Sequence, residues 1–101
     1  MVWKDYAVTE KEHEDEFARW LTDNGHDSER LSMDGCRGYP DRTVWLSTGQ
    51  TVYVEMKKCG GRLSLHQKRW RARLEKTNQK WYECWSSDEA IEYMEELLNG
   101  V

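Results

Sequence analysis

The stretch that decides the fold, residues 41–57, reads DRTVWLSTGQTVYVEMK. It contains two runs rich in β-branched and aromatic residues, at 43–46 and 51–56, joined by the polar sequence STGQ. Such residues favour strands, and a short connection that contains glycine favours an antiparallel hairpin. Residues 41–57 therefore predict a β-hairpin whose second strand ends in Glu55-Met56-Lys57.

An acid and a lysine at the end of this strand share one face. Side chains alternate along a strand, so Glu55 and Lys57 project together, whereas Val52, Val54 and Met56 point to the opposite side, into the core. A carboxylate can hold a divalent ion, and a lysine can counter the charge that develops on a phosphate during cleavage. The strand end is therefore a candidate site for metal-dependent phosphodiester hydrolysis.

Asp41 joins this site only under one geometry of the turn. If the loop has three residues, with Gly49 in the left-handed conformation, Asp41 lies opposite Glu55. Directly paired residues of antiparallel strands point to the same face with Cβ atoms about 5 Å apart, so the two carboxylates could share one ion. A two-residue loop would instead place Asp41 opposite Met56 and point it away.

The flanking sequence predicts helices around the hairpin. Residues 9–24 form a first helix capped by Thr9, and residues 26–40 form a connection with a short strand around Leu31 to Met33. Ser64 followed by Gln67 is a capping box that begins a second helix, which is followed by a strand at 81–85 and a third helix from residue 86. The whole chain, 1–101, is expected to be one domain with a mixed sheet, in the order α-β-β-β-α-β-α.

Charge is segregated along the chain. The formal net charge is -4, yet residues 57–80 carry nine basic residues against Glu75 alone, so this segment is +8 and the remainder is -12. A basic segment of this kind suits contact with phosphates. The three cysteines form no CxxC pair, which argues against a zinc or disulfide framework, and no run approaches the roughly 18 apolar residues of a membrane span. We expect an intracellular, cytoplasmic protein.

Four motifs in this order resemble the VRR-NUC domains, a branch of the PD-(D/E)XK nuclease superfamily. They are Gly38-Tyr39-Pro40-Asp41, Glu55-Met56-Lys57, Gly61-Arg62-Leu63-Ser64 and Gln67-Lys68-Arg69-Trp70. The resemblance implies a restriction-endonuclease-like α+β core of a helix, a three-stranded meander, a helix and a strand. That order agrees with the one predicted above.

The resemblance also implies roles for the residues of the site. Asp41 and Glu55 would bind Mg2+ or Mn2+, with the backbone carbonyl of Met56 as a further ligand. Lys57 would position the attacking water or stabilise the transition state. Gln67 would point into the site as the family glutamine does, and it could also cap its helix, since the two roles need not conflict.

Related domains place a glutamate of the first helix near the metal. Counting back from Gly25 favours Glu12, with Glu14 and Glu16 as alternatives. Candidate phosphate contacts are Lys58, Arg62, Lys68 and Arg69.

The function expected from this resemblance is a metal-dependent DNA endonuclease that selects structure rather than sequence. Stand-alone members of this size occur in bacteriophages and resemble Holliday-junction resolvases, so a homodimer acting on branched DNA, in the host cytoplasm if phage-encoded, is expected. The alternatives are a non-catalytic nucleic-acid-binding accessory module with the same fold and, with less support, a metal-free RNA-binding domain.

Overall fold

The computed structural model describes residues 9–31, 35–57 and 61–100. These form helix α1 (Glu10–Asp23), strands β1 (Asp27–Glu29), β2 (Arg42–Trp45) and β3 (Thr51–Met56), helix α2 (Leu65–Lys76), strand β4 (Lys80–Cys84) and helix α3 (Ser87–Leu98). The predicted order α-β-β-β-α-β-α is confirmed. Within the described ranges, no helix combines the length and the apolar character that crossing a membrane requires.

The four strands form one mixed sheet in the order β1-β2-β3-β4. The first three strands pair antiparallel, and β4 returns parallel to β3 after the crossover through α2. One face of the sheet carries the apolar core, in which Val52, Val54 and Met56 of β3 cluster with Phe17 of α1 and Met94 of α3. The alternation predicted for β3 is therefore confirmed, because its apolar residues fill the core and Glu55 points to the other face.

The β2–β3 hairpin has the three-residue loop that the glycine predicts. Arg42 pairs with Val54, the Leu46 amide donates to the Gln50 carbonyl at 2.9 Å, and Gly49 has φ +97°. Extending this register by one residue sets Asp41 opposite Glu55. The condition on which the two-carboxylate site depended is met.

A short first strand lies at Asp27–Glu29, which ends two residues before the segment around Leu31 to Met33 where a strand was expected. Leu31 is not in a strand, and Met33 falls outside the described residues. The three residues of strand β1 (Asp27–Glu29) are polar and carry no strand propensity of their own. They extend because they pair with Thr43–Trp45 of β2, so this strand depends on tertiary pairing.

Helix α2 covers the sheet face opposite the apolar core, beside the candidate site. Tyr39 packs edge-on against Trp70 of α2, with ring centroids 4.9 Å apart, and against Tyr53 of β3 at 6.4 Å. Gly38 lies directly against the start of the helix, since a Cβ there would come within 2.4 Å of the His66 carbonyl carbon. The turn before Asp41 and the first turns of α2 are therefore in contact.

Candidate active site

Asp41 and Glu55 meet at adjacent strand ends. The Asp41 Oδ2 atom accepts a hydrogen bond from the Met56 backbone N–H at 2.9 Å, which fixes the carboxylate across the hairpin. Glu55 is 1% exposed, whereas Asp41 is half-buried and reachable from solvent. One acid is therefore enclosed by the protein while the other lies at the edge of the site.

The surroundings of Glu55 favour its neutral form. The pKa of Glu55 is raised to about 9, by burial first and then by the hydrogen bond and the negative charge of Asp41. The positive charge of Lys57 acts in the opposite direction and does not offset these effects. Two carboxylates held this close without a cation cannot both ionise readily, so at neutral pH the pair retains a proton.

Gln67 performs both of the roles that the sequence left open. Its Oε1 atom accepts from the Ser64 backbone N–H at 2.8 Å, which completes the capping box of α2. Its Nε2 atom donates to Glu55 Oε2 at 3.0 Å. One amide therefore caps the helix with its oxygen and orients the buried carboxylate with its nitrogen.

Lys57 lies just past the end of β3. Its backbone N–H donates to the Cys84 carbonyl at 2.8 Å, which extends the parallel pairing with β4 by one residue. The side chain is half-buried, and its charge lowers the pKa of Glu55, as expected of a cation on the same side of the sheet. The shared face predicted for the two residues agrees with this electrostatic contact.

The donor set at this point fits a divalent cation. No donor group contacts the buried Oε1 atom of Glu55, so an ionised carboxylate there is costly unless something positive contacts it. Carboxylate oxygens are the ligands that Mg2+ and Mn2+ prefer. Among the described residues, no group of three or more His, Cys, Asp or Glu side chains is placed to hold a metal ion, so the carboxylates of Asp41 and Glu55 would need further oxygen ligands.

The acids of α1 divide into distinct roles. The Glu12 carboxylate accepts from the Thr9 backbone N–H at 3.1 Å and is exposed, so it belongs to the helix cap. Glu16 is also exposed. Glu10 is the first-helix acid whose negative charge raises the pKa of Glu55. The Thr9-x-x-Glu12 spacing is itself a capping box, and that signal could have separated Glu12 from Glu10 in the sequence.

Glu14 forms a buried ion pair next to the site. Its carboxylate contacts the guanidinium groups of Arg30 and Arg42, and the Arg42 side chain is 13% exposed. Burial raises the pKa of Glu14, although both arginines oppose that shift, and the charge of Asp41 raises it slightly. The Glu14–Arg42 ion pair connects α1 to β2 at Arg42, the residue that follows Asp41. The sequence did not predict this role for Arg42.

The predicted phosphate contacts lie on the outside of the molecule. Arg62, Lys68 and Arg69 are exposed, and Lys68 and Arg69 follow Gln67 on α2. Lys58 lies outside the described residues. Exposed cations of this kind are suited to contacts with a nucleic-acid backbone.

A family model of the VRR-NUC domain matches residues 4–88. The chain belongs to the VRR-NUC family. A solved structure described as a VRR_NUC domain matches with a TM-score of 0.75 and 24% identity, and the match covers 87% of this chain and 97% of the other. A comparison with curated proteins finds no match. The fold is thus a VRR-NUC fold, which is nuclease-like.

Proposed function

We propose that this VRR-NUC domain is a metal-dependent DNA endonuclease whose site consists of Asp41, Glu55 and Lys57. One observation carries the proposal: two carboxylates converge beside a lysine, and no donor group contacts the buried Oε1 atom of Glu55. A stabilising role accounts poorly for this arrangement, because a buried polar atom without a partner costs about 1–3 kcal/mol. Perturbed acids held close together are typical of functional sites.

Asp41 and Glu55 would hold Mg2+ or Mn2+, with the Met56 backbone carbonyl as a further ligand. From α1, Glu12 caps the helix, and Glu10 is the acid whose negative charge reaches Glu55, so Glu10 would add negative charge near the ion. The bound ion would activate a water and neutralise charge on the scissile phosphate.

The remaining side chains of the site stabilise charge on the phosphate, hold Glu55 in place and bind the DNA backbone. Lys57 stabilises the negative charge that develops on the phosphate as the P–O bond breaks. Gln67 holds Glu55 in place through its 3.0 Å hydrogen bond. The cations Arg62, Lys68 and Arg69, with Lys58, bind the DNA backbone without reading bases.

The proposal includes selectivity for branched DNA by a homodimer. A domain of this kind with one site cuts one strand, so paired cuts across a junction require two copies. Mixing an excess of Lys57→Ala protein with wild type tests this directly. A dimer should then nick four-way junctions instead of resolving them, whereas independent monomers should still resolve them at a rate proportional to the wild-type concentration.

Cleavage of a substrate panel tests the proposed activity. A labelled four-way junction, a flap, a blunt duplex and a single strand are each incubated with Mg2+, Mn2+ or EDTA. We expect wild-type cleavage that EDTA and Lys57→Ala abolish, with DNA binding retained, and normal cleavage by the control Lys76→Ala at the distant end of α2. Metal-independent cutting would contradict the proposal. Binding without cleavage under every condition would instead favour the non-catalytic accessory module.

A further inference from the structure

A concave site lies against helix α2, the helix that also carries Gln67. It is a cavity of about 370 Å³ between residues 35–37 on one side and His66, Arg69, Trp70 and Arg73 of α2 on the other. These four helix residues follow the i, i+3, i+4, i+7 spacing of a single helix face. We call this cavity the arginine pocket.

The arginine pocket is rich in positive charge. Arg37, Arg69 and Arg73 line it, and the described residues of its lining include no carboxylate. Within the described ranges, none of the three arginines forms an ion pair, whereas Arg71 on another face of the same helix pairs with Glu75. Three uncompensated guanidinium groups around one cavity suit an anionic ligand, and phosphate in particular.

The size and the aromatic content of the pocket exceed what a bare phosphate needs. A cavity of about 370 Å³ falls within the usual range of small-molecule sites. The Arg73 guanidinium lies over the Trp70 ring, 4.3 Å from its centroid, and this pair offers a flat surface on which a base can stack. The lining therefore combines a phosphate-binding part with a base-stacking part.

The pocket and the catalytic site share their supporting elements. His66 precedes Gln67, which contacts Glu55, and Trp70 packs on Tyr39, two residues before Asp41. A strand whose scissile phosphate lies at the carboxylates would therefore place a neighbouring nucleotide close to the arginine pocket. A base inside a duplex is stacked and paired, so only an unpaired or extruded nucleotide can enter a cavity of this shape.

We propose that the arginine pocket binds one unpaired nucleotide of the DNA strand next to the scissile phosphate. Its phosphate contacts the arginines and its base stacks on the Trp70–Arg73 pair. This inference rests on the proposed nuclease function and gives it a physical source of selectivity for structured DNA. Arg37 and Arg73 become specificity-determining residues that the sequence motifs did not indicate.

Binding measured in EDTA tests the pocket independently of cleavage. Fluorescence anisotropy compares a blunt duplex with the same duplex carrying one unpaired nucleotide, for wild type, the double variant Arg37→Gln/Arg73→Gln and the control Arg71→Gln. Wild type should bind the bulged duplex about tenfold more tightly, the scale of one stacked base. The double variant should lose this preference, and its salt dependence should weaken by about 0.7 in log–log slope, as expected for one lost single-strand phosphate contact. Arg71→Gln should retain both.

Competition identifies the ligand. Thymidine 5′-monophosphate should displace the bulged duplex from wild type at concentrations at which inorganic phosphate does not. Equal competition by the two would show that the pocket binds phosphate alone and would overturn the nucleotide assignment. An equal affinity of wild type for the two duplexes, or an equal loss in Arg71→Gln, would also overturn it. If the protein prefers the bulged duplex but cuts no substrate, the nuclease proposal is refuted, whereas the assignment of the pocket to an unpaired nucleotide remains supported.

Discussion

Gln67 Nε2 and Glu55 Oε2 lie 3.0 Å apart, and this hydrogen bond joins helix α2 to the buried end of β3. The opposite end of the same amide accepts from Ser64 at the start of the helix. The helix cap and the orientation of the buried acid therefore depend on one side chain. Their contributions can be separated by mutation.

Gln67→Ala and Ser64→Ala should separate structure from activity. Each removes one half of the capping box and should lower the free energy of unfolding by about 1 kcal/mol. Only Gln67→Ala also removes the donor to Glu55, so it alone should reduce cleavage by about 10- to 100-fold, the range for a hydrogen bond to a charged group. Urea denaturation and single-turnover cleavage at a temperature where both variants are folded provide the test. Equal losses of activity would indicate that Gln67 acts only as a cap.

The pH dependence of stability should report the raised pKa of Glu55. The pKa lies near 4.5 in the unfolded chain and rises to about 9 in the folded protein, so between these values the folded state holds the extra proton. The contribution of Glu55 to stability is therefore fully present below about pH 4.5 and is lost as the pH rises to about 9.

Glu55→Gln should remove this dependence, because a neutral amide resembles the protonated acid. In EDTA, the variant should be more stable than wild type at about pH 8, and the difference should shrink as the pH approaches about 5. Thermal unfolding across this range measures it. A difference that stays constant with pH would contradict the assignment of the shift to Glu55.

Substitution of Gly38 by alanine tests the contact between helix α2 and the turn before Asp41. Gly35 and Gly38 both have φ +78°, but a Cβ at Gly38 would meet the His66 backbone at 2.4 Å, whereas one at Gly35 would meet nothing within 4 Å. Gly35→Ala should cost only the left-handed strain of about 1–2 kcal/mol. Gly38→Ala should lose about 1–3 kcal/mol more by overpacking, and should also reduce cleavage because the helix carries Gln67. Similar unfolding energies for the two variants would show that the helix can move aside freely.

The ion pairs of Glu14 should differ in strength according to their burial. The Arg42 side chain is 13% exposed and that of Arg30 is 61% exposed. Arg42→Met leaves Glu14 without its buried partner and should cost about 3 kcal/mol, whereas Arg30→Met should cost less than about 1 kcal/mol. Denaturant midpoints measure both, and Glu14→Gln should recover part of the Arg42→Met loss. The same loss in both variants would mean that solvent screens the two pairs equally.

Much of the site was predictable because its geometry is local. Strand alternation placed Glu55 and Lys57 on one face, and Gly49 selected the loop length that brings Asp41 opposite Glu55. Both depend on residues within one hairpin, where short-range geometry determines the outcome. The capping box of α2 was likewise readable from its spacing.

The remaining features depend on contacts between distant segments. Strand β1 (Asp27–Glu29) is polar and extends only because β2 lies beside it. Arg42 became part of the site's support because its strand packs against Glu14 of α1, a contact that no local pattern indicates. Among the acids of α1, the capping pattern around Glu12 was readable from the sequence, whereas the effect of Glu10 on Glu55 depends on packing between distant segments.

Direct metal binding is the most stringent test of the proposal that Asp41 and Glu55 share a divalent cation. Isothermal titration with Mn2+ compares wild type with Asp41→Asn, which preserves the hydrogen bond from Met56, and with Glu12→Gln, which alters an acid assigned to the helix cap. We predict binding by wild type and Glu12→Gln with similar affinity, and at least about a tenfold loss in Asp41→Asn. Undiminished Mn2+ binding by Asp41→Asn would contradict the account.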